Sequence, residues 1–129
     1  MKIALMVMAL HFLADFTLQG VLRDLKCRDW WTRQLHDMGF HQHDALKYRN
    51  DYKAALVYHA FYWSVVTFAP VWYFAGDAAA FVIVFANAIV HMVIDHFKCN
   101  LFKLNLWQDQ SLHFIQIALT LSIFNAEVA

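Results

Sequence analysis

Four apolar stretches alternate with polar connections along the chain, at residues 3–22, 54–75, 78–97 and 104–124. Each has the roughly 20 residues that a helix needs to cross a bilayer. The second contains Pro70, and a tight turn at Gly76-Asp77 joins it to the third. A short polar link, residues 98–103, joins the third to the fourth. The first connection is the long one, a polar loop of about thirty residues, 23–53. The pattern predicts an all-α fold: a four-transmembrane-helix membrane bundle of two hairpins, forming a single integral membrane domain over residues 1–129.

Within the loop, Leu22, Leu25, Trp31, Leu35 and Met38 fall at helical spacing, which predicts a helix lying on the membrane surface, with Trp30 and Trp31 in the headgroup layer. Gly39 ends it, and Asp44 caps a helix that runs on into the second span. The run 36–44 is rich in His and Asp, but its spacing fits no metal site and it reads as solvated loop.

Composition supports the membrane reading. The 129 residues are 61% apolar and 16% charged, with a mean hydropathy of +0.42. A soluble domain is about half apolar and about a quarter charged, and a chain this short has too little interior to hide the excess. The formal net charge of zero gives no electrostatic case for nucleic acid. Lys2 is the only early cation, His11 and Asp15 interrupt the apolar run, and no small-residue cleavage site follows, so the first span is expected to be a retained helix.

Charge sets the expected orientation. Nine of the ten Lys and Arg residues lie in the first and third connections and only Lys2 lies at the other face. The positive-inside rule then places the long loop in the cytoplasm and both termini outside, in a bacterial inner (plasma) membrane. Cys27 and Cys99 form neither a disulfide framework nor a CxxC motif, and two free thiols near the cytoplasmic face suit a reducing compartment.

Every ionisable residue inside a span is a His or an Asp. The first span has His11 and Asp15, with Gln19 four further on; the second has His59; the third has Asn87, His91 and Asp95; the fourth has Asp109, His113 and Gln116. Residues four apart share a helix face. The first and third spans read His then Asp in one direction, and the fourth reads Asp then His in the other. At about 1.5 Å per residue, the histidines 11, 91 and 113 fall in one layer and the aspartates 15, 95 and 109 about one turn nearer the cytoplasm. No Lys, Arg or Glu is expected at that depth. The two hairpins repeat this pattern faintly, which implies a pseudo-two-fold axis along the membrane normal.

Imidazole and carboxylate at helical spacing are ligands for a divalent metal, zinc first, with manganese or iron as alternatives. The expected metal ligands are His11, Asp15, His59, His91, Asp95, Asp109 and His113, with Asp15, Asp95 and Asp109 as the candidate catalytic carboxylates. The same residues would also serve a proton relay, or a structural polar network holding the helices in register. Lys98, on the Asp95 stripe, is expected to snorkel to the cytoplasmic interface; its functional alternative is a counter-charge for Asp95 or a contact to lipid phosphate. Phe61, Tyr62, Trp63, Trp72 and Tyr73 read as lipid-facing or belt aromatics.

His11-Phe12-Leu13-Ala14-Asp15-Phe16-x-x-Gln19, His91-x-x-x-Asp95-x-x-Lys98 and Asp109-Gln110-x-x-His113 resemble the motifs of the domain-of-unknown-function family 3307, small bacterial and phage integral membrane proteins. His59 is a further match, and the resemblance implies nothing for residues 23–53. A looser likeness to small membrane proteins labelled metal-dependent hydrolases carries little weight.

The expected function is a metal-dependent membrane hydrolase acting on a lipid or other amphiphile, with an aspartate as general base. The alternatives are a metal-ion or proton carrier or channel using the same residues, which would need a homo-oligomer, and a non-catalytic phage or bacterial membrane factor with a structural polar cluster. The bilayer is the expected partner.

Overall fold

A computed structural model describes residues 2–39, 46–75 and 77–128. Among these residues the fold is all-helical. Helix α1 spans Lys2–Phe12 and runs straight into one π-helical turn, Leu13–Thr17. Two short helices follow, α2 at Leu22–Leu25 and α3 at Arg28–Asp37. The second hairpin arm is α4, Asp51–Thr67, with a stub α5, Ala69–Ala75. Two long helices close the fold, α6 at Asp77–Cys99 and α7 at Leu106–Val128.

The expected first span is therefore not one helix. Leu18 N–H donates to the Leu13 carbonyl at 2.8 Å, five residues back, and Gly20, with φ +49°, ends the run in a left-handed conformation that glycine adopts at no steric cost. The second expected span is broken at Phe68, and Pro70 falls in the first turn of α5, where a missing N–H costs little. The expected surface helix is present as α2 and α3, and Gly39 (φ +78°) follows it. The expected cap at Asp44 and most of the His/Asp-rich run lie outside the described residues.

Helices α1, α4, α6 and α7 pack as a ring: α1 on α4, α4 on α6, α6 on α7, and α7 back on α1. Hydrophobic packing fills the end of this ring nearest the chain termini, where Val7, Phe68, Val71, Val84, Ile117 and Phe124 are buried together. The other end is polar inside. His11, Asp15, His59, His91, Asp95, Asp109 and His113 are all buried there, none more than 5% exposed.

The outside is the reverse. Leu5, Phe12 and Phe16 on the first segment, Tyr58 and Phe61 on α4, Phe81, Phe85 and Ile89 on α6, and Ile115, Leu119 and Ile123 on α7 all point outward. Among the described residues one helix segment, Ala78–Cys99, is long and apolar enough to cross a membrane by length and composition. The other walls are interrupted: α1 by the π turn, α4–α5 at Phe68, and α7 by Gln108, Asp109 and Gln110 in its first turn.

Candidate metal centre

The site is built from one face of each wall. His11 ends α1, and the π turn that follows sets the direction of Asp15. Such wide turns are frequent at functional sites because they re-aim side chains within a continuous helix. His59 comes from α4, His91 and Asp95 from α6, and Asp109 and His113 from α7. The structure brings all seven expected residues into one buried cluster. Within it, three overlapping sets each have ligand atoms within 4.8 Å of one another: Asp15, His59 and His91; His91, Asp95 and His113; and Asp15, Asp109 and His113. Buried His/Asp groups of this kind could hold a metal ion.

Two lysines share the cluster. Lys26, from the turn after α2, is buried, with its Nζ 2.5 Å from Asp95 Oδ2 and 3.0 Å from His59 Nε2. The expectation that no lysine lies at this depth is thus corrected. The polar loop folds back into the bundle mouth, and a partnered ammonium is tolerated where a lone one is not. Lys98 places its Nζ 2.5 Å from Asp109 Oδ2 and is only 34% exposed by side chain. It is neither a free snorkelling lysine nor the counter-charge of Asp95, a place taken by Lys26. Asp95 and Asp109 therefore use Oδ2 for a lysine and aim Oδ1 at the same histidine: His113 Nε2 is 3.6 Å from Asp95 Oδ1 and 3.5 Å from Asp109 Oδ1.

The hydrogen bonds fix how much each histidine has left to offer. Gln110 Nε2 donates to Asp15 Oδ2 at 2.7 Å and to Asp109 Oδ2 at 3.1 Å. Its Oε1 must then accept from His11 Nε2, at 3.2 Å, and His11 Nδ1 accepts the Trp63 indole N–H at 3.1 Å. Both nitrogens of His11 are hydrogen-bonded, and His11 belongs to none of the three sets. On the other side, an ammonium has only hydrogens to give, so His59 Nε2 accepts from Lys26. His91 Nε2 lies 3.1 Å from that nitrogen, and His91 Nδ1 lies 3.2 Å from His113 Nδ1.

His113 Nε2 is buried with no hydrogen-bond partner, as is Asp109 Oδ1. In the tautomer with its proton on Nδ1, His113 presents Nε2 beside two carboxylate oxygens, acceptors that a cation satisfies.

Trp63 is a further correction. It is fully buried rather than lipid-facing, and it stacks on His91 with ring centroids 3.9 Å apart and planes 11° from parallel. Its position four after His59 on α4 was the available signal, since that spacing puts it on the His59 face. Phe61 and Tyr73 are exposed, as a belt reading requires. Deeper in the ring a separate polar layer ties α6 to α7: Gln116 Nε2 donates to Asn87 Oδ1 at 2.8 Å, and Thr120 Oγ1 to the same oxygen at 3.1 Å.

The cysteines are not free. Cys27 is bonded to Cys99, linking the turn after α2 to the last residue of α6. The bond lies on the walls of two cavities, one of about 710 Å³ bordered by Trp30, Arg33 and Phe102, and one of about 320 Å³ that reaches Asp15 and Lys26.

No family model, no curated protein and no solved structure matches the chain.

Proposed function

We propose that this is a small multi-pass membrane protein whose cluster binds a divalent metal ion, with zinc the first choice, and uses it to hydrolyse a lipid or other amphiphile. The observation that carries the metal is that His113 is shared by two buried sets, His91–Asp95–His113 and Asp15–Asp109–His113, in each of which the ligand atoms lie within 4.8 Å of one another. Imidazole and carboxylate donors suit zinc, manganese or iron. His91, Asp95, Asp109 and His113 are then the ligands, which leaves Asp15 beside them for the chemistry. The ion would supply Lewis acidity toward a water and a scissile acyl or phosphoryl group. Asp15 is the carboxylate without a lysine in the described contacts, which makes it the general base. The cavity of about 320 Å³ gives water and a polar head a way in from the loop face.

The membrane reading rests on an inverted surface. Buried positions are rich in His, Asp, Asn and Gln while Phe, Leu and Ile face out on every wall. Contiguous exposed apolar surface of that extent marks a non-aqueous surrounding. The motif resemblance to small bacterial and phage integral membrane proteins supports a membrane setting.

Elemental analysis of the full chain purified in detergent tests the metal. Stoichiometric metal in the wild type and its loss in His113→Ala, with helicity retained, are expected; a metal-free wild type that binds no added zinc, manganese or iron overturns the reading. A panel of phospholipids and acyl esters, with Asp15→Asn as control, then tests hydrolysis.

One observation favours a second reading. His113, His91, His59 and Lys26 form an unbroken chain of contacts of 3.0 to 3.2 Å, the form of a proton relay. Proton flux into liposomes that is abolished by His91→Ala would select it.

A further inference from the structure

Both cysteines follow a lysine, and both lysines belong to the cluster. Lys26-Cys27 and Lys98-Cys99 are the two Lys-Cys pairs of the chain; Lys26 holds Asp95 and Lys98 holds Asp109. The covalent bond between the cysteines therefore fixes the two cation-bearing segments to each other at the mouth of the site.

Besides the bond, α2 packs on α4 with Leu22 and Leu25 half-buried, and a few hydrogen bonds tie the segment down. Helix α2 has four residues and buries none of them. The Lys26 carbonyl accepts from Asn100 Nδ2 at 3.1 Å, and the Arg28 N–H donates to Asn100 Oδ1 at 2.8 Å. Trp31 Nε1 donates to the Leu25 carbonyl at 2.7 Å, a bond internal to the same segment. Against these ties stands the cost of keeping an ammonium out of water, which the pairing with Asp95 offsets only while the geometry is held.

We infer that the Cys27–Cys99 bond is a reversible redox latch: closed, it keeps Lys26 in the cluster; reduced, it releases Lys26 and opens Asp95 and His59 to an added cation. The opening to a cation rests on the metal reading above; the latch itself does not. The bond is reachable, because it forms part of the wall of both cavities at the loop face. The reductant is an external dithiol. One of its thiolates attacks a cysteine sulfur, forming a mixed disulfide and expelling the other cysteine as thiolate. Its second thiol then displaces the first cysteine. Cys27 and Cys99 end as two thiols, each thiolate taking up a proton, and the dithiol ends as a disulfide. On the loop face assigned to the cytoplasm, a bond of this kind is of the transient, sensing type.

The test is amine acylation of the full chain in detergent by a water-soluble active ester, read residue by residue by mass spectrometry, before and after reduction. Lys47 and Lys103, both exposed, are the internal controls. Lys26 is expected to be acylated at least about tenfold faster after reduction and in Cys99→Ser, since labelling follows the free energy of local opening. Equal rates in the bonded and reduced chains overturn the latch. A parallel zinc titration is expected to show tighter binding after reduction, because the competent state no longer has to be opened first. Faster acylation with unchanged zinc affinity overturns the opening of the site and leaves the metal reading standing. Zinc bound in neither state overturns the metal reading, while the acylation ratio still decides the latch.

Discussion

Lys26 Nζ sits 2.5 Å from Asp95 Oδ2, a contact that carries a cation from the polar loop into the mouth of the helix ring. Asp95 also has His59 Nε2 at 3.2 Å and His91 Nε2 at 3.5 Å on the same oxygen. The Lys26 ammonium on Oδ2, with three imidazoles close by, explains how an aspartate that is 1% exposed stays in a bundle whose outer faces are apolar. The Lys98–Asp109 contact repeats the arrangement on the neighbouring helix. The cluster is then a set of three carboxylates of which two are balanced by lysine.

Removing one member of the pair should cost more than removing both. Lys26→Met leaves Asp95 buried without its ammonium and is expected to destabilise the fold by about 3–5 kcal/mol. The double variant Lys26→Met/Asp95→Leu should recover most of that loss, since an apolar pair replaces a charge pair at the same place. Denaturant unfolding in detergent, followed by tryptophan fluorescence, measures both. A single variant as stable as the wild type would mean that Lys26 does not reach Asp95 in the folded chain.

Gln110 and Trp63 orient His11 and Asp15 without reaching the proposed ion themselves. Trp63→Phe keeps the ring on His91 but leaves His11 Nδ1 without a donor, an expected loss of about 1–3 kcal/mol in stability. Gln110→Leu strips Asp15 and His11 of the amide between them and should weaken metal binding by about 10- to 100-fold, the usual effect of losing a partner behind a ligand. Isothermal titration with zinc reads the second effect and denaturation the first. Retention of full zinc affinity in Gln110→Leu would place the ion away from Asp15 and Asp109.

The helical class and the membership of the seven-residue cluster could be read from the sequence because both depend on spacing. His91 and Asp95, or Asp109 and His113, are one turn apart on helices that remain regular over that distance, so their shared face follows from period alone. Lys26 was illegible for the opposite reason. It is 69 residues from Asp95, and nothing local says that the turn after α2 folds inward. The repeated Lys-Cys pair was the one available sign, and it has meaning only once the cysteines are seen to meet. The π turn at Asp15 likewise has no sequence signature: nothing local says that the first segment stops short of a full regular helix.

The outward faces make a prediction about surroundings. Leu119 is 61% exposed midway along α7, and Trp107 is 81% exposed in its first turn. If hydrocarbon covers the ring, Leu119→Arg should lower membrane insertion by about 2.5–3.5 kcal/mol, the cost of arginine at the centre of a spanning helix. Trp107→Arg, near the interface, should cost little. Carbonate-resistant membrane fractionation of the two variants compares them. Equal solubility of the wild type in buffer without detergent would remove the bilayer from the account.

Orientation is the last point that can be decided by measurement, and it also decides what the cysteine bond is for. Arg23, Lys26, Arg28 and Arg33 precede α4 on the same face as Lys98 and Lys103, so the loop is expected in the cytoplasm. An alkaline phosphatase reporter fused after residue 124 should be active, and one fused after residue 48 inactive; a cytoplasmic fluorescent reporter should show the reverse. In that orientation the Cys27–Cys99 bond meets a reducing compartment and opens and closes. The opposite result would put the bond in an oxidising compartment, where it stays closed. Joining residues 72 apart in sequence, it would then act as a permanent staple contributing about 4 kcal/mol through the loop it closes in the unfolded chain. Thiol alkylation in intact cells distinguishes the two directly: a cytoplasmic latch gives a mixture of bonded and alkylated chains that shifts with the redox state of the cell, and an external staple gives bonded chains alone.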